Sequence, residues 1–470
     1  MEHQQTISYQ LDMFIEQKRK DICHSENCKG VSGANARKAK QVSREGRQGR
    51  AFTSDLMGIV CSSNNLKQAY KQVKRNKGVP GIDQMSVEKF ASWYQHHGDD
   101  LIDKLLRGSY HPQAVRQVEI PKPKGGVRKL GIPTVTDRVI QQAISQVLSP
   151  LYEAEFSSKS YGFRPKRSAS MALFQASEYV KDGRDVVVDM DLQSFFDEVN
   201  HDRLMYRLSR KIEDKLFLRL IRRYLRSGIL KGGLISQRQK GTPQGSPLSP
   251  LLSNIVLDEL DKELEKRGHS FVRYADDFSI YVHSIVAGKR VQESISKYIE
   301  DKLKLKVNTV KSKVCFSNET TLLGYTILRD GKLIISQENV SRFKMKVRAI
   351  TKRNRGRSLS SIISELNPLM RGWLQYFRNA KSKSILRDID GWVRRKLRCY
   401  RLKELKRTIS VKRFLVKQGV SQRRSWALAK SGKGLWRKSC STQLHKAMNL
   451  KWFDEHGLYN MSLNYEMLTG

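Results

Sequence analysis

The chain has 470 residues, too many for one compact core, and its 39% hydrophobic content is enough for several ordinary ones. Its 88 Lys and Arg against 46 Asp and Glu leave a formal charge of +42, an excess that self-repels unless a polyanion such as nucleic acid neutralises it. A disulfide framework and a zinc ribbon are excluded because the six cysteines form no CxxC pairs, and no apolar stretch reaches bilayer length.

The N-terminus (MEHQQTISYQ) lacks a basic region followed by an apolar core, so a cytoplasmic, bacterial, nucleoid-associated protein with no membrane partner is expected. Residues 25–50 are rich in Gly, Ser, Asn, Lys and Arg and read as a flexible basic extension. Helical spacing then brings Leu66, Ala69, Tyr70 and Val73 onto one face, until Gly78-Val79-Pro80-Gly81 forces a turn. The run IPKPKGGVRKLGI, ending at Ile132, places two short β-like stretches around Gly125-Gly126 and predicts a hairpin. A helix is predicted from Thr134 to Leu151, and DVVVDMD (185–191) is predicted to be a buried strand ending in carboxylates.

A second strand pair is predicted in FVRYADDFSIYV (271–282), with apolar alternation on both sides of Ala275-Asp276-Asp277. Tight hairpins favour Asn-Gly or Asp-Gly, so two adjacent acids at the tip were selected by something other than turn chemistry. From Ser341 to Cys440 there are 30 Lys and Arg against 4 Asp and Glu, in helix-like stretches carrying Trp373, Phe377, Trp392 and Tyr400. That is a basic helical region with an aromatic-bearing core, whose aromatics are expected to pack rather than stack on bases.

Phosphoryl transfer asks little covalent chemistry of a protein beyond holding two divalent ions about 4 Å apart. Mg²⁺ takes carboxylate oxygens, so two or three aspartates on rigid strands suffice. Asp191 and the Asp276-Asp277 pair lie 85 residues apart, far enough for their strands to meet. Asp189 shares a strand face with Asp191, and spacing alone does not separate the two.

YADD between apolar runs, preceded by DMDLQSFFDEVNH and GTPQGSPLSPLLSNIVL, resembles the ordered signature of a reverse-transcriptase palm. LKQAYKQVKRNKGVPGID, IPKPKGGVRKLGIPTVTDRVIQ and YGFRPKRSA extend the likeness, over about residues 56–440, to the reverse transcriptase and maturase encoded by bacterial group II introns. The resemblance implies an α+β fold: a right-hand polymerase with fingers and palm (antiparallel sheet plus helices), followed by an all-α thumb and maturase region. The implied domains are a basic extension at 1–50, fingers and palm at 51–335, thumb and maturase at 336–425, and a short DNA- or RNA-binding tail at 426–470.

By the same resemblance, Asp191, Asp276 and Asp277 are the metal-binding catalytic carboxylates, with Asp197 secondary. Two Mg²⁺ ions and dNTP substrates are implied. Arg128 and Lys122 match the triphosphate contacts, Phe196 the aromatic under the sugar, Gln244 the glutamine beside the nucleotide, and Lys311 the lysine near the leaving pyrophosphate. Phe195 is adjacent to Phe196, and only one of them need face the sugar. Lys124 and Lys129 add charge to the fingers hairpin. Leu323, Gly324 and Tyr325 resemble the primer grip.

Arg371, Arg378, Arg394, Arg395 and Arg398 would contact phosphates of the partner, group II intron RNA in a ribonucleoprotein, with target DNA and a DNA primer as further partners. After residue 380 only Cys399, Cys440, His445 and His456 are available as soft ligands, so an HNH-type endonuclease is not expected and priming from an existing DNA end is implied. The expected function is RNA-directed DNA synthesis with splicing assistance and retrohoming. The alternatives are a splicing-only RNA-binding maturase, or a domesticated reverse transcriptase in defence or repair.

Overall fold

The computed structural model describes residues 54–121, 126–231, 234–236, 240–243 and 245–469. The basic extension, Lys122, Lys124 and Gln244 lie outside the described residues. The chain divides into two compact units. One holds residues up to Ala172 with Val188–Ile280 and Lys289–Lys313; the other holds Leu173–Val187, Tyr281–Gly288 and everything from Val314.

The first unit begins with helices α1 (Leu56–Cys61), α2 (Ser63–Arg75) and α3 (Phe90–Leu106). Ser62 caps α2 through Asn65 N, Lys74 and Arg75 oppose the negative end of its dipole, and Leu66, Ala69, Tyr70 and Val73 form the buried stripe read from their spacing. The predicted hairpin is present as β1 (Val115–Pro121) and β2 (Val127–Ile132), paired antiparallel from Arg116↔Ile132 to Pro121↔Val127. Its sheet is mixed rather than wholly antiparallel, because β4 (Ile229–Lys231) runs parallel to β1 before pairing antiparallel with β5 (Leu234–Ser236).

Helix α4 (Val135–Glu153) follows, capped by Thr134 and tied to α2 where Gln146 Nε2 donates to Asn65 Oδ1 at 2.7 Å and Asn65 Nδ2 donates to the Ala143 carbonyl at 3.1 Å. Then come α5 (Ala169–Lys181), β3 (Val186–Met190), α6 (Phe195–Glu198), α7 (His201–Ser209), α8 (Lys215–Arg226) and α9 (Ser249–Lys266). The second predicted strand pair forms β6 (Ser270–Tyr274) and β7 (Asp277–Val282), followed by α10 (Ile285–Tyr298) and β8 (Lys313–Phe316). A four-stranded sheet has the order β6-β7-β3-β8, so the strand before Asp191 neighbours the strand that starts at Asp277.

In the second unit, β9 (Tyr325–Ile327) pairs antiparallel with β10 (Leu333–Ile335), and the rest is helical: α11 (Gln337–Ile350), α12 (Leu359–Phe377), α13 (Lys383–Leu405), α14 (Thr408–Lys417), α15 (Gln422–Lys430), α16 (Leu435–Lys438), α17 (Thr442–Ala447), α18 (Leu450–Glu455) and α19 (Met461–Thr469). The segment expected to be a tail folds back on this unit. Asp390 accepts from Met461 N and Ser462 N, and Tyr465 Oη donates to the Ala380 carbonyl at 2.8 Å. Trp373 packs between Phe343 and Phe377, in line with a packing role.

Asp137 is the polar hub of the first unit. Its buried carboxylate accepts from Tyr110 Oη at 2.8 Å, Thr134 Oγ1 at 2.8 Å, Tyr224 Oη at 3.1 Å and Gln113 N at 3.2 Å, joining α4, α8 and the chain entering β1. Burial raises its pKa even against these four donors. Asp137→Ala would strand several buried donors, so a loss of about 3 kcal/mol or more in urea unfolding is expected. A change within about 0.5 kcal/mol would contradict the hub role.

Candidate active site

The tip between β6 and β7 is a two-residue turn, Ala275-Asp276, with Ala275 at φ 61°. That left-handed conformation is uncommon for a residue with a side chain, and Ala275 is buried in it. The turn leaves Asp276 partly buried and Asp277 at the start of β7.

Asp191, just past the end of β3, is gripped by the loop before β8. Asn308 N donates to its carbonyl at 2.8 Å and Asn308 Nδ2 to its Oδ2 at 2.9 Å, while its own N–H donates to Ser312 Oγ at 3.1 Å. Lys311 Nζ also reaches Oδ2, at 3.0 Å. Neither Asn308 nor Ser312 was singled out from the sequence. Both lie in NTVKS, beside the lysine that was, and their part depends on a loop 117 or more residues from Asp191.

The carboxylates act on one another electrostatically. Burial, then the charges of Asp276, Asp191 and Asp189, push Asp277 up to about 6, although the residue keeps an open face to solvent. Burial also raises Asp276; Asp191 adds to the shift, and Arg128 and Lys311 oppose it. Asp189 therefore belongs to the same negative cluster as Asp191. Asp197, by contrast, is exposed.

Asp276 lines a cleft of about 550 Å³ together with Arg128, Arg138, Phe163, Phe196 and Ser246. Of the two adjacent phenylalanines, Phe195 is 2% exposed in the core and Phe196 is the one facing the cleft. Ser194 at φ 47° opens the short helix α6 that sets this choice. Arg138 was not read from the sequence. It is nearly buried, donates from Nη2 to the Val79 carbonyl at 2.9 Å, and approaches Gly78 so closely that a Cβ there would lie 2.3 Å from Nη1. A larger cleft of about 750 Å³ beside α7 and α9 is lined by ion-paired residues such as Lys211 with Glu155 and Lys262 with Asp258, and holds none of the motif acids.

In the second unit, Leu323 (φ 50°) and Gly324 (φ 84°) form a kink. A Cβ on Gly324 would meet Asn339 Nδ2 at 2.8 Å. Tyr376 Oη donates to the Leu323 carbonyl at 2.9 Å. The Tyr325 side chain points inward, 1% exposed, and donates to the Tyr376 carbonyl, so it offers no ring to a primer. Arg371 and Arg378 are exposed, while Arg394 and Arg395 are half-buried, Arg395 stacking 3.8 Å over the Trp436 ring. Arg398 departs from expectation: it is 6% exposed and donates through Nε and Nη2 to the Met448 carbonyl, leaving no face for a phosphate.

The donor set suits a hard divalent cation, since carboxylate oxygens crowded enough to repel one another are what Mg²⁺ or Mn²⁺ relieves. Among the described residues no three such groups converge closely enough to enclose an ion as they stand. Asp191 instead gives Oδ2 to Lys311 and Asn308.

A strand-borne carboxylate cluster opening on a cationic cleft defines a nucleotidyl-transferring polymerase palm. Residues 120–327 match the family described as reverse transcriptase (RNA-dependent DNA polymerase), and residues 340–419 match the group II intron, maturase-specific domain. The chain is 31% identical over 315 residues to protein YkfC of Escherichia coli strain K12, covering 58% of this chain and 83% of that one. It is 29% identical over 341 residues to the group II intron-encoded protein LtrA of Lactococcus lactis subsp. cremoris, covering 56% of each. The chain thus spans little more than half the length of that second relative. A partial Cas6-RT-Cas1–Cas2 complex matches at 26% identity over 52% of this chain and 42% of that chain, with a TM-score of 0.35, too loose to bear on the fold.

The chain belongs to the group II intron-encoded reverse transcriptases, RNA-directed DNA polymerases that carry a maturase-specific segment. Membership implies a divalent metal, a nucleotide substrate and an RNA partner. No helix among the described residues is long and apolar enough to cross a membrane.

The raised pKa of Asp277 sets the sign of a pH effect. Its folded value lies above its unfolded one, so without metal this group's contribution to stability falls as pH rises from the ordinary carboxylate range to about 6, and the repulsion is fully present above that. Added Mg²⁺ is therefore expected to raise Tm more at pH 7.5 than at pH 5.5, where a proton already relieves the crowding. Equal shifts in a thermal melt at the two pH values would count against the cluster as the metal-binding group.

Proposed function

We propose that the chain copies its group II intron RNA into DNA from a DNA primer, using two Mg²⁺ ions held by Asp191, Asp276 and Asp277, and that it assists splicing and retrohoming of that intron. The observation that carries this reading is the electrostatically coupled set Asp189, Asp191, Asp276 and Asp277, one member of which lines the same cleft as Arg128 and Phe196. When bound, the ions supply activation of the primer 3′-hydroxyl and stabilisation of the leaving pyrophosphate.

The rest falls to the chain's own residues. Arg128, exposed on β2 and electrostatically linked to Asp276, meets the triphosphate, with Lys122 as a second cation there. Phe196 packs under the sugar and leaves no room for a 2′-hydroxyl, with Gln244 beside the nucleotide. Lys311 starts on Asp191 and is the cation nearest at hand for departing pyrophosphate. The kinked backbone at Leu323-Gly324 is the primer contact, which Tyr325 supports from within rather than by touching the strand. Arg371, Arg378, Arg394 and Arg395 contact RNA phosphates, and Arg398 is withdrawn from that set by its burial. Structured RNA offers backbone and shape more than base edges, which suits a broad cationic surface.

Primer extension on an RNA template tests both halves of the site in one assay. Asp276→Asn keeps the shape but removes the charge, and a rate loss of at least about 1,000-fold is expected; activity near wild type would sink the catalytic assignment. In the same assay Phe196→Val is expected to raise ribonucleotide incorporation while leaving dNTP incorporation within about tenfold of wild type. Unchanged sugar selectivity would place that role on another side chain.

A further inference from the structure

The turn that carries Asp276 is held from behind by polar side chains that touch neither cleft nor solvent. Arg273, next to last on β6, is fully buried. Its guanidinium forks onto Asp261 through Nε–Oδ1 at 2.7 Å and Nη2–Oδ2 at 2.6 Å. Nη1 donates at 2.9 Å both to Asn254 Oδ1 and to the Ala275 carbonyl, inside the turn itself.

Asn254 and Asp261 sit seven residues apart on one face of α9, and both are 0% exposed. Asn254 passes the contact on, donating from Nδ2 to the Gly162 carbonyl at 2.9 Å. Gly162 lies hard against the turn: a Cβ there would stand 2.3 Å from Ala275 N. Flanking backbone bonds, Tyr161 N to the Arg273 carbonyl at 2.9 Å and Arg273 N to the Lys159 carbonyl at 3.0 Å, fix the YGFRP segment alongside β6.

Two facts make this more than core filling. An arginine, a carboxylate and an amide removed wholly from water contribute little net stability, because their desolvation offsets most of the attraction and an apolar cluster of equal volume would serve as well. What they supply is direction, since five N–H donors in a rigid plane accept only one arrangement of partners. In addition, the N-terminal end of α9 and the chain leading into it line the nucleotide cleft through Ser246, Pro247, Ser249 and Pro250. One helix therefore borders the cleft at its start and grips the aspartate turn along its length.

We propose that Arg273, with Asn254 and Asp261, is a positioning device that registers the Asp276-Asp277 turn against the cleft side of α9, so that the carboxylates stand where a divalent ion and a nucleotide phosphate meet. The inference rests on the reading of Asp276 and Asp277 as the catalytic acids. Arg273→Lys keeps the charge opposite Asp261 but cannot span Asp261, Asn254 and the Ala275 carbonyl together. Asn254→Ala keeps the Arg273–Asp261 pair and removes only the link to Gly162 and to Nη1.

The experiment uses the full chain and two readouts: the Mn²⁺ concentration giving half of the maximal Tm rise in the absence of nucleic acid, and single-turnover primer extension. For Arg273→Lys the half-saturating Mn²⁺ is expected to rise about tenfold and the extension rate to fall about 100-fold, the scale set by a misplacement near 1 Å, with dNTP half-saturation within about threefold of wild type. Asn254→Ala is expected to move both readouts the same way by smaller factors, and it decides the matter if Arg273→Lys does not fold. A rate loss that merely tracks the folded fraction, with Mn²⁺ half-saturation unchanged in the folded variants, overturns the positioning role. An Asp276→Ala arm separates the two levels: extension retained there overturns the catalytic reading itself, whereas extension lost there with an unmoved metal response in the other variants overturns only the device.

Discussion

Carboxylates held within reach of one another in a half-buried site repel, and a fold that keeps them there must be compensated by a cation. Asp189, Asp191, Asp276 and Asp277 are in that position, and the rise of Asp277 to about 6 expresses the unrelieved part of the repulsion. Lys311, on Asp191 Oδ2 at 3.0 Å, relieves some of it, and Arg128 opposes the shift at Asp276. The surroundings can be read as the means of holding this arrangement: the Asn308–Ser312 loop on one acid, and the buried α9 network on the turn that carries the other two.

The way these acids are held also explains the mixture of strain and rigidity in the first unit. Ala275 stays in a left-handed conformation because its carbonyl is taken by Arg273 and its amide is pressed by Gly162. Ser194 adopts a similar conformation where α6 begins, and the result is a core-facing Phe195 and a cleft-facing Phe196. Strained backbone is thus concentrated where side chains must be aimed, the pattern expected when neighbouring structure over-determines a site.

Much of this was legible in the residue pattern because the signals were local. Alternation around YADD and around Gly125-Gly126 specifies hairpins, and the acids at a strand end and a turn specify where charge collects. What was not legible depends on partners distant in the chain. Arg273 reads as one more basic residue until α9 brings Asp261 and Asn254, 12 and 19 residues away, to its guanidinium. Tyr325 and Arg398 looked like contacts for nucleic acid because tyrosine and arginine often are, yet docking of α12 and of the segment before α18 turns both inward. The parallel pairing of β4 with β1 was equally hidden, since nothing in ILK states which strand it will join.

The central claim is that Asp191, Asp276 and Asp277 together hold the divalent ions of the reaction. Its most direct measurement is anomalous diffraction from crystals of the full chain grown with Mn²⁺, an RNA template, a DNA primer and an incoming nucleotide. Two manganese peaks about 4 Å apart, bounded by these three carboxylates, are the expected result. Manganese bound elsewhere, with Asp191 still closed onto Lys311 and Asn308, would contradict it.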